Sequence, residues 1–576
     1  MFVQIKQRQI PAVNYTLTCH ELLQRIYITR GITAEIQLDK SLYALQPFTF
    51  LSDIDKACSR LELALRGQQR ILIIGDFDAD GATATALAVA ALRLMGGIYV
   101  EFLVPNRFDF GYGLTAAIVE VAKKWQPNLI ITVDNGITSV DGVNVANTAG
   151  IDVLITDHHL PGEDLPKACA IINPNQANDR FASKAIAGVG VIFYVMLALR
   201  SHLDQRNWFQ ECGIAKPNMA QFLDLVALGT VADVVPLDHN NRIMIHNGIA
   251  RIRQGKCRPG IKALITIAKR DFAKLQASDL GFAIAPRLNA AGRLDDMTLG
   301  IACLLSEDYD AAKILATRLD ELNQERRVIE ATMKEQAMLA IEQLRSKMVK
   351  VKHLPAALCL MEESWHQGVI GILAGRLKER FNRPVIAFAA VNDTELKGSA
   401  RSVAALNIRD ILATIDQAHP ELIIAFGGHA MAAGLSIHPQ AFNSFKQAFI
   451  MEVSKHLDVT SYEDEILTDG ALRLHDLNLA TATLLQQAGP WGQHFPEPCF
   501  DNIFTILDQR LIKQQHLKLT LRHADGGEVL DAIAFNVDNS WPNYRAAKIR
   551  AIYRLDHNLY LGKANLQLII DKMHPA

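Results

Sequence analysis

Short apolar runs alternate with helix-compatible stretches between about residues 50 and 240. The runs ILIIGD (71–76), NLIITVD (128–134) and VLITDHH (153–159) have the continuous apolar character of strands buried on both faces of a sheet. Between the first two lies TATALAVAALRLMG (83–96), a helix-compatible segment. Buried strands that alternate with helices predict a parallel, doubly wound α/β sheet.

Three further segments have different patterns. Residues 306–347 contain no Gly or Pro and carry apolar residues at helical spacing, which predicts one helix of roughly 60 Å at 1.5 Å per residue. Such a helix is expected to connect two domains rather than to belong to either core. Strand-like runs from about 353 to 450 indicate a second α/β domain. Beyond residue 500, period-two alternation broken by DGG (525–527) predicts a small antiparallel β-barrel.

The composition limits the classes of protein. With 49% hydrophobic and 21% charged residues among 576, the chain is a multi-domain globular protein rather than a disordered or fibrous one. The eight cysteines include no C-x-x-C pair, so neither a disulfide framework nor a thiolate zinc site is expected. A reduced, cytoplasmic setting is expected instead. No secretory signal is visible. The longest apolar stretch (185–199) is shorter than the roughly 18–20 residues that cross a bilayer, so we interpret it as a buried helix and expect no membrane association.

Acidic and imidazole side chains follow three of the predicted strands. The carboxyl ends of parallel strands meet at one edge of a sheet, where functional groups gather. A further candidate, Asp233 in TVADVVPL (230–237), is a lone carboxylate in an apolar run, where an unpaired charge is costly unless it is neutralised. The strand-end residues are Asp76, Asp78 and Asp80 after the first strand, Asp134 after the second, and Asp157, His158 and His159 after the third.

Metal ions are the simplest counter-charge for these carboxylates. Carboxylates with one or two imidazoles and no thiolate suit Mn²⁺ or Mg²⁺ better than structural zinc. One divalent ion would leave excess negative charge, so the pattern predicts two ions roughly 3.5–4 Å apart, which can activate a water and stabilise the leaving oxygen in phosphoester hydrolysis. Each motif alone has an ordinary explanation, a turn for DADG or DNG and a core histidine for DHH. Their occurrence at successive strand ends favours the metal site.

The same motifs carry a family resemblance. DFDADG, VDNG, DHH and TVADVVPL, in this order and spacing, resemble the four metal-binding motifs of the DHH phosphoesterase superfamily. Over nearly the whole chain beyond about residue 50, further segments are similar to the bacterial RecJ exonucleases of that superfamily: VPNRFDFGYGL (104–114), INPNQ (172–176), AGVGV (187–191), PRLNAAGRL (286–294), WHQGVIGILAGR (365–376), GSARS (398–402) and GGHAMAAG (427–434).

Pattern and resemblance together imply an α/β architecture with five parts. The parts are an N-terminal segment (1–50), a parallel-sheet DHH catalytic domain that includes a basic helical segment (51–300), a long connecting helix (301–350), a second α/β, DHH-associated, substrate-binding domain (351–455) and an OB-like nucleic-acid-binding barrel (456–576).

The resemblance also assigns roles at the site. Asp134 is expected both to bind metal and to be essential for catalysis, His159 to face the scissile phosphate, and Asp157 to orient the imidazoles, as metal-bound histidines usually require. Spacing leaves open which of the clustered aspartates binds which ion, because side chains at i and i+2 share a face only in an extended segment. The full set of implied metal ligands is Asp76, Asp78, Asp80, Asp134, His158 and Asp233.

Phosphate-binding groups are expected beside the metal site. Residues 251–290 hold nine Lys and Arg against two Asp, a net +7 in a chain whose net charge is −2; this run is either a solvated face or a polyanion surface. In PRLNAAGRL, Arg287, Asn289 and Arg293 suit phosphate oxygens, although an Arg can also cover a helix end. In the second domain, the expected DNA or nucleotide contacts are His366, Arg376, Arg401, Gly427, Gly428 and His429.

The C-terminal module interleaves aromatic and basic residues. This composition suits single-strand binding, in which bases stack and phosphates pair, and equally suits a β core with a polar rim; the resemblance favours strand binding. The aromatic residues concerned are Phe504, Trp541, Tyr544, Tyr553 and Tyr560, among the cations Arg510, Lys513, Lys518, Arg522, Arg545, Lys548 and Arg550.

The resemblance implies a 5′→3′ exonuclease specific for single-stranded DNA, releasing 5′-mononucleotides by two-metal-ion hydrolysis in DNA repair and recombination. Single-strand-binding protein and a helicase are the expected protein partners, and the chain is expected to be a monomer. Two alternatives are a DHH-type phosphodiesterase of short oligonucleotides or cyclic dinucleotides, against which the C-terminal module argues, and a non-catalytic DNA-binding replication scaffold, which the intact aspartates and DHH oppose.

Overall fold

The structure is a computed structural model that describes residues 4–12, 15–106, 110–347, 354–457, 465–513, 515–535, 537, 548–560 and 563–576. The chain forms two compact units. The first comprises Asp320–Ile466 with the short stretches Met1–Ile5 and Arg293–Asp295, and the second comprises Lys6–Gly292, Asp296–Leu319 and Leu467–Ala576.

The second unit contains the predicted parallel sheet. After a short strand β1 (Gln4–Gln7), five strands form this sheet in the order β3-β2-β4-β5-β6 with parallel pairing throughout. Strands β2 and β4 are buried along their whole length, as the apolar runs predict. The strands are β2 (Ile71–Gly75), β3 (Val100–Leu103), β4 (Leu129–Val133), β5 (Asp152–Thr156) and β6 (Ala170–Ile172).

Helices cover both faces of this sheet, which confirms the doubly wound α/β prediction. On one face α4 and α5 pack against apolar side chains of β2, β4 and β5; on the other, α3 packs against α6 and α8. The helices of the chain between β1 and the long helix are α1 (Glu21–Ile28), α2 (Ile54–Arg66), α3 (Ala79–Leu94), α4 (Ala116–Ala122), α5 (Val140–Thr148), α6 (Gly188–Gln205), α7 (Trp208–Glu211), α8 (Leu223–Ala232), α9 (His239–Arg253), α10 (Pro259–Ile267), α11 (Ala277–Asp279), α12 (Ala285–Leu294) and α13 (Thr298–Leu305).

Most of the apolar stretch 185–199 lies in the buried helix α6. Within the described ranges, no helix combines the length and the apolar character needed to cross a membrane. Some cations of the basic segment (251–290) are used in packing within the fold. Arg258 lies 4.8 Å from the centroid of the Phe222 ring, and its side chain lies 3.9 Å from a carboxylate oxygen of the buried Asp224. Arg253 donates to the carbonyl of Leu275 at 2.7 and 2.9 Å.

The long helix α14 (Tyr309–Lys347) is continuous, as predicted. The expectation that it stands outside both cores is wrong. Met333, Ala337 and Ile341 are at most 2% exposed and belong to an apolar cluster with residues of the second sheet. Their spacing of four residues places them on one face of the helix, and this face supplies part of the core of the first unit.

The first unit contains the second sheet, in the order β10-β11-β9-β8-β7, in which only β7 and β8 pair in parallel. Helices α14 and α15 cover one face, and α16 and α17 cover the other. The elements are β7 (Leu358–Met361), α15 (Ile370–Phe381), β8 (Val385–Asn392), β9 (Glu395–Arg401), α16 (Ile408–Ala418), β10 (Ala425–Gly428), β11 (Ala432–Ile437) and α17 (Phe442–His456).

The C-terminal residues form the predicted barrel. Strand β12 (Glu465–Thr468) pairs with β1, and after α18 (Leu479–Ala488) five strands close in the order β13-β14-β15-β17-β16. The expectation of a wholly antiparallel barrel is wrong at one place, because β15 and β17, which close the barrel, pair in parallel. The DGG sequence makes the β14–β15 turn, where Gly526 and Gly527 have φ values of +101° and +89° that favour glycine. The barrel strands are β13 (Phe500–Ile512), β14 (His516–His523), β15 (Gly526–Ala534), β16 (Lys548–Tyr560) and β17 (Lys563–Pro575).

Two of the aromatic residues expected to stack on bases lie in the barrel core instead. Phe504 and Tyr553 are 0% exposed, with ring centroids 5.4 Å apart. The Tyr553 hydroxyl donates to Asn502 Oδ1 at 2.8 Å. They therefore stabilise the barrel and cannot contact a strand. Trp541, Tyr544 and Arg545 lie outside the described residues, as does the side chain of Tyr560.

The N-terminal segment packs against the start of the C-terminal module. Arg30 and Asp469, whose side chains are each 1% exposed, form two contacts, Nη1–Oδ1 at 2.5 Å and Nη2–Oδ2 at 2.9 Å. The hydroxyl of Tyr27 donates to the Ala488 carbonyl at 2.9 Å, and Lys40 Nζ donates to the same carbonyl at 3.2 Å.

Candidate metal centre and substrate contacts

Three strand ends bring the predicted metal ligands together. Asp76 follows β2 directly, and Asp134 and Asp157 directly follow β4 and β5. In the sheet register Gly75 pairs with Val133, and Val133 pairs with Thr156, so the three aspartates leave the sheet at the same level. This alignment is the physical reason that the DFDADG, VDNG and DHH motifs meet.

The six predicted ligands separate into two sets of three, within each of which one ligand atom per residue lies within 4.8 Å of the others. His158 joins the sets, because its Nε2 lies 3.1 Å from Asp134 Oδ1 and 3.5 Å from Asp233 Oδ2. A third group of Asp134, His158 and His159 overlaps both. The two sets are Asp76, Asp78 and Asp134, and Asp80, His158 and Asp233.

The electrostatics of this cluster fit divalent cations. Burial, reinforced by the neighbouring carboxylates, raises the pKa of Asp134 and Asp233 well above the usual range. Burial and the Asp78 charge raise the pKa of Asp80 to about 7. Oδ1 of Asp134 and Oδ2 of Asp233 are buried and accept no hydrogen bond from the described part of the chain. Hard oxygen donors with a single imidazole and no thiolate suit Mn²⁺ or Mg²⁺ better than structural zinc.

Asp134 is held in an unusual backbone conformation. Its φ is +62°, in the left-handed region that non-glycine residues rarely adopt. Strain of this kind costs about 1–3 kcal/mol and is found at functional sites. Gly188, in the AGVGV segment, makes room for the side chain, because a Cβ there would lie 2.6 Å from Asp134 Cβ and Oδ1. The glycine is therefore needed for the carboxylate to stand where it does.

Asp78 and Asp80 are positioned by helix N-termini. Asp78 caps α3, since its Oδ1 accepts from the backbone N–H of Asp80 at 2.9 Å and of Gly81 at 3.0 Å. Asp80 is 1% exposed, and its carboxylate accepts from the N–H groups of Gly188 at 2.6 Å and Val189 at 3.0 Å at the start of α6. Each carboxylate oxygen has two lone pairs, so these bonds leave acceptor capacity for a cation.

Asp157 is bound on every side by protein donors. Its Oδ1 accepts from the N–H groups of His158 at 2.7 Å and His159 at 3.1 Å and from His159 Nδ1 at 2.7 Å, and its Oδ2 accepts from the N–H of Ile137 at 2.9 Å. Burial acts to raise the pKa of Asp157, but the His159 hydrogen bond and charge prevail and lower it. Conversely, burial opposes protonation of His159, yet Asp157 raises its pKa.

Tyr112 is a site residue that sequence reasoning did not single out. Its hydroxyl donates to the Asp134 carbonyl at 3.1 Å and lies 3.1 Å from His159 Nδ1. The sequence feature that could have indicated Tyr112 is its position between two glycines in FGYGL. Both glycines adopt positive φ values, +76° at Gly111 and +78° at Gly113. From the sequence, this segment contributes only to the family resemblance.

Two predicted phosphate contacts lie in the second unit on α12. Oδ1 of Asn289 accepts from the backbone N–H of Ala79 at 2.8 Å, which fixes the start of α3 between Asp78 and Asp80. Arg287 donates to the carbonyl of Ala283. The structure thus places Asn289 against the backbone between the predicted metal ligands Asp78 and Asp80.

The first unit groups several other predicted contacts. Arg293 Nη1 donates to the Gly368 carbonyl at 3.1 Å, and His366 Nδ1 accepts from the Gly368 N–H at 3.1 Å, so both side chains meet at one glycine. Burial lowers the pKa of His366. Arg401 donates to Ser399 Oγ at 3.1 Å, and a Cβ at Gly371 would lie 3.0 Å from both side chains.

The remaining predicted contacts differ in their surroundings. Arg376 lies 3.2 Å from Glu330 Oε1 and 3.5 Å from Glu379 Oε2, so its charge is already paired. Gly427 and Gly428 belong to strand β10, and a Cβ at Gly427 would meet no atom within 4 Å. The N–H of His429 donates to the Ala432 carbonyl at 2.8 Å in the turn that follows.

Comparisons with known proteins decide the family. The model of the DHH family, N-terminal domain, matches residues 70–230, the DHHA1 domain matches 349–455, and the RecJ OB domain matches 468–572. A protein of Dickeya dadantii (strain 3937) named "single-stranded-DNA-specific exonuclease RecJ" is 52% identical over 574 residues, 99% of each chain. This chain belongs to the RecJ family. The resemblance and the fold class predicted from the motifs are confirmed.

Solved RecJ structures bear on the cofactor. RecJ from Thermus thermophilus in complex with Mn²⁺ is 27% identical, with a TM-score of 0.80 over 99% of this chain and 79% of that one. The complex of RecJ from the same organism with Mg²⁺ gives a TM-score of 0.73 at 25% identity, over 99% of this chain and 78% of that one. Together with the two sets of three ligand side chains, these RecJ structures confirm the expectation of Mn²⁺ or Mg²⁺.

Proposed function

We propose that this chain is a 5′→3′ exonuclease that degrades single-stranded DNA to 5′-mononucleotides. The observation that carries the proposal is the convergence of five buried or half-buried aspartates and His158 at the strand ends of a RecJ-family catalytic sheet. The Dickeya dadantii protein that is 52% identical to this chain is named a single-stranded-DNA-specific exonuclease.

Each group in the cluster has a proposed part in hydrolysis. Asp76, Asp78 and Asp134 would hold one ion, and Asp80, His158 and Asp233 the other. Ions bound there supply an activated water and a counter-charge for the phosphate. His159, whose pKa Asp157 raises, presents a ring N–H donor to a non-bridging phosphate oxygen of the scissile bond. Asp157 keeps that ring in one orientation through the 2.7 Å bond to Nδ1.

Strand binding is assigned to the predicted cationic and glycine-rich positions. Asn289 acts indirectly, because it binds the backbone N–H of Ala79 between Asp78 and Asp80. Arg376 is already ion-paired with Glu330 and makes at most a peripheral contact with the strand. The proposed phosphate contacts are Arg287, Arg293, His366, Arg401, Gly427, Gly428 and His429. The chain is further proposed to act as a monomer in the cytoplasm, in repair and recombination, beside single-strand-binding protein and a helicase. The bounds of the five parts of the chain stay predictions.

Digestion of end-labelled single strands tests the proposal. With Mn²⁺, a 5′ label should appear at once in mononucleotide, while a 3′ label should stay in long fragments until late. Without a divalent ion neither label should be released. Asp134→Ala is the control, because it should abolish release of both labels while the protein still unfolds cooperatively. Early release of the 3′ label, or unchanged activity in Asp134→Ala, would overturn the proposal.

The DHH-type phosphodiesterase of short substrates is the nearest alternative. The match of residues 468–572 to the RecJ OB domain favours long strands. Parallel assays on a long single strand and on a dinucleotide separate the two, since activity on the dinucleotide alone would support the alternative.

A further inference from the structure

The segment INPNQ (172–176) lies next to His158 and His159 but has no role in the proposed reaction. It begins at the last residue of β6, the strand that pairs with β5, and therefore runs beside the loop that carries His158 and His159. Asn173 is 0% exposed. A buried amide requires hydrogen-bond partners, and those partners identify what the segment does.

Each asparagine of the segment holds one histidine. Asn173 Nδ2 donates to the backbone carbonyl of His159 at 2.9 Å, and Asn175 Nδ2 donates to the backbone carbonyl of His158 at 2.6 Å. The two asparagines are also bound to each other, because the N–H of Asn175 donates to Asn173 Oδ1 at 2.8 Å. The arrangement is a paired clamp with one amide for each histidine.

The clamp completes a set of bonds that begins with Asp157. Regular strand structure ends at Thr156, and Asp157 N still donates to the Ile172 carbonyl at 3.0 Å. Beyond that bond, Asp157 holds the N–H groups of both histidines, and the asparagines hold their carbonyls. Each histidine backbone is thereby fixed from two sides in a stretch without helix or strand. Metal ligation and attack on a phosphate both depend on placement to well under 1 Å.

We propose that Asn173 and Asn175 are positioning residues with separable tasks: Asn175 sets His158 for metal binding, and Asn173 sets His159 for the chemical step. The inference rests on the roles given to the two histidines in the proposed function. Partners that orient metal-bound histidines typically change metal affinity or activity by 10–100-fold when they are removed.

Gln176 is the matched control. Its amide donates to the carbonyls of Ile171 at 3.1 Å and Asn173 at 3.2 Å. It therefore stabilises the same segment but has no hydrogen bond to either histidine among the described contacts. Gln176→Ala loosens the segment without removing either arm of the clamp.

The experiment compares Asn173→Ala, Asn175→Ala and Gln176→Ala in the full-length chain. Mn²⁺ binding is measured directly by calorimetry, kcat and KM on single-stranded DNA are measured at saturating Mn²⁺, and Tm is measured without metal. For Asn175→Ala, Mn²⁺ binding should weaken by about 10–100-fold, and kcat should recover at saturating Mn²⁺. For Asn173→Ala, kcat should fall by about 10–100-fold with Mn²⁺ affinity and KM unchanged. Gln176→Ala should change Tm alone.

The inference is overturned if both asparagine variants lose metal affinity and kcat in the same proportion, or if they match Gln176→Ala. Should an alanine variant fail to fold, Asn173→Ser and Asn175→Ser, which keep a polar side chain but remove the amide donor, carry the same comparison. Failure of the proposed function is recognised separately, by wild-type protein that does not degrade the strand or by Asp134→Ala that still does.

Discussion

Oδ1 of Asp157 lies 2.7 Å from Nδ1 of His159, whereas Nε2 of the neighbouring His158 lies 3.1 Å from Oδ1 of Asp134. Two adjacent histidines therefore face different partners, one an orienting carboxylate and the other a predicted metal ligand. This difference, which follows from the geometry at the end of β5, supports the separate roles proposed for the two histidines.

This division predicts different defects for the two histidine variants. His158→Ala should weaken Mn²⁺ binding by at least about tenfold, because a ligand is lost. His159→Ala should leave Mn²⁺ affinity nearly unchanged and lower kcat by about 100-fold or more, in the range found for loss of one charge-stabilising donor. Calorimetry with Mn²⁺ and steady-state kinetics at saturating Mn²⁺ measure the two effects. Equal losses of metal affinity in both variants would contradict the division.

Removal of the metal ions should make stability depend on pH. Burial raises the pKa of Asp80 from 3.8 to about 7, and the pKa of Asp134 and Asp233 is also raised. Such a group binds more protons in the folded state, so its stabilising contribution is complete below the unfolded pKa and is lost as the pH rises through the folded value. The Tm of metal-free protein should therefore fall between about pH 4 and pH 7.

Saturating Mn²⁺ should flatten this slope, because the ions replace protons as the counter-charge. Asp233→Asn should reduce the slope in metal-free protein, since one of the titrating carboxyls is gone. Differential scanning calorimetry across the pH range provides the comparison. A slope that Mn²⁺ does not change would show that these carboxyls are not the metal site.

Gly188→Ala should disable the site without removing a functional group. The new Cβ would lie 2.6 Å from Oδ1 of Asp134 and must displace that carboxylate. A displacement of about 1 Å can cost about 100-fold in rate, so kcat should fall by that order. Gly375→Ala on α15 is the control, because a Cβ there meets no atom within 4 Å, and its activity should equal that of the wild type. Normal activity in Gly188→Ala would mean that the Asp134 position is not critical.

The buried ion pair between Arg30 and Asp469 should be important for stability. Asp469→Ala leaves the Arg30 charge buried at 1% exposure without its partner, which typically costs about 3–5 kcal/mol. Glu211→Ala removes the half-exposed carboxylate that pairs with Arg66 and should cost less than about 1 kcal/mol. Urea unfolding of both variants measures the free energies of unfolding. Similar costs in the two would show that the N-terminal segment is not anchored by this pair.

The sequence predicts the convergence of the aspartates well, because a parallel sheet has only one carboxyl edge and each motif follows a buried strand. It predicts less about side chains whose role depends on three-dimensional neighbours. The one-to-one contacts of Asn173 and Asn175 with the histidines appear only when β6 lies beside β5. Likewise, glycine is needed at position 188 because the backbone there comes close to the side chain of Asp134, which lies 54 positions earlier in the sequence.

Two wrong expectations have physical causes that can be traced. The apolar residues Met333, Ala337 and Ile341 lie on one face of α14, and this face indicates a core rather than a free connector. Alternation in the barrel strands shows that one side faces inward but not which side, because a shift of one residue exchanges the faces. Phe504 and Tyr553 therefore could not be assigned to the core or the surface from composition alone.

Five aspartates and His158, which lie at the strand ends, at the start of α3 and directly after α8, are proposed to hold two divalent ions. Calorimetric titration of the metal-free chain with Mn²⁺ counts these ions directly. Two ions per chain are expected for the wild type, with Asp76→Asn and Asp233→Asn each losing or greatly weakening one of them because they belong to different sets of three. A fully active wild type that binds a single ion, or two ions bound with unchanged affinity in both variants, would contradict the two-ion site.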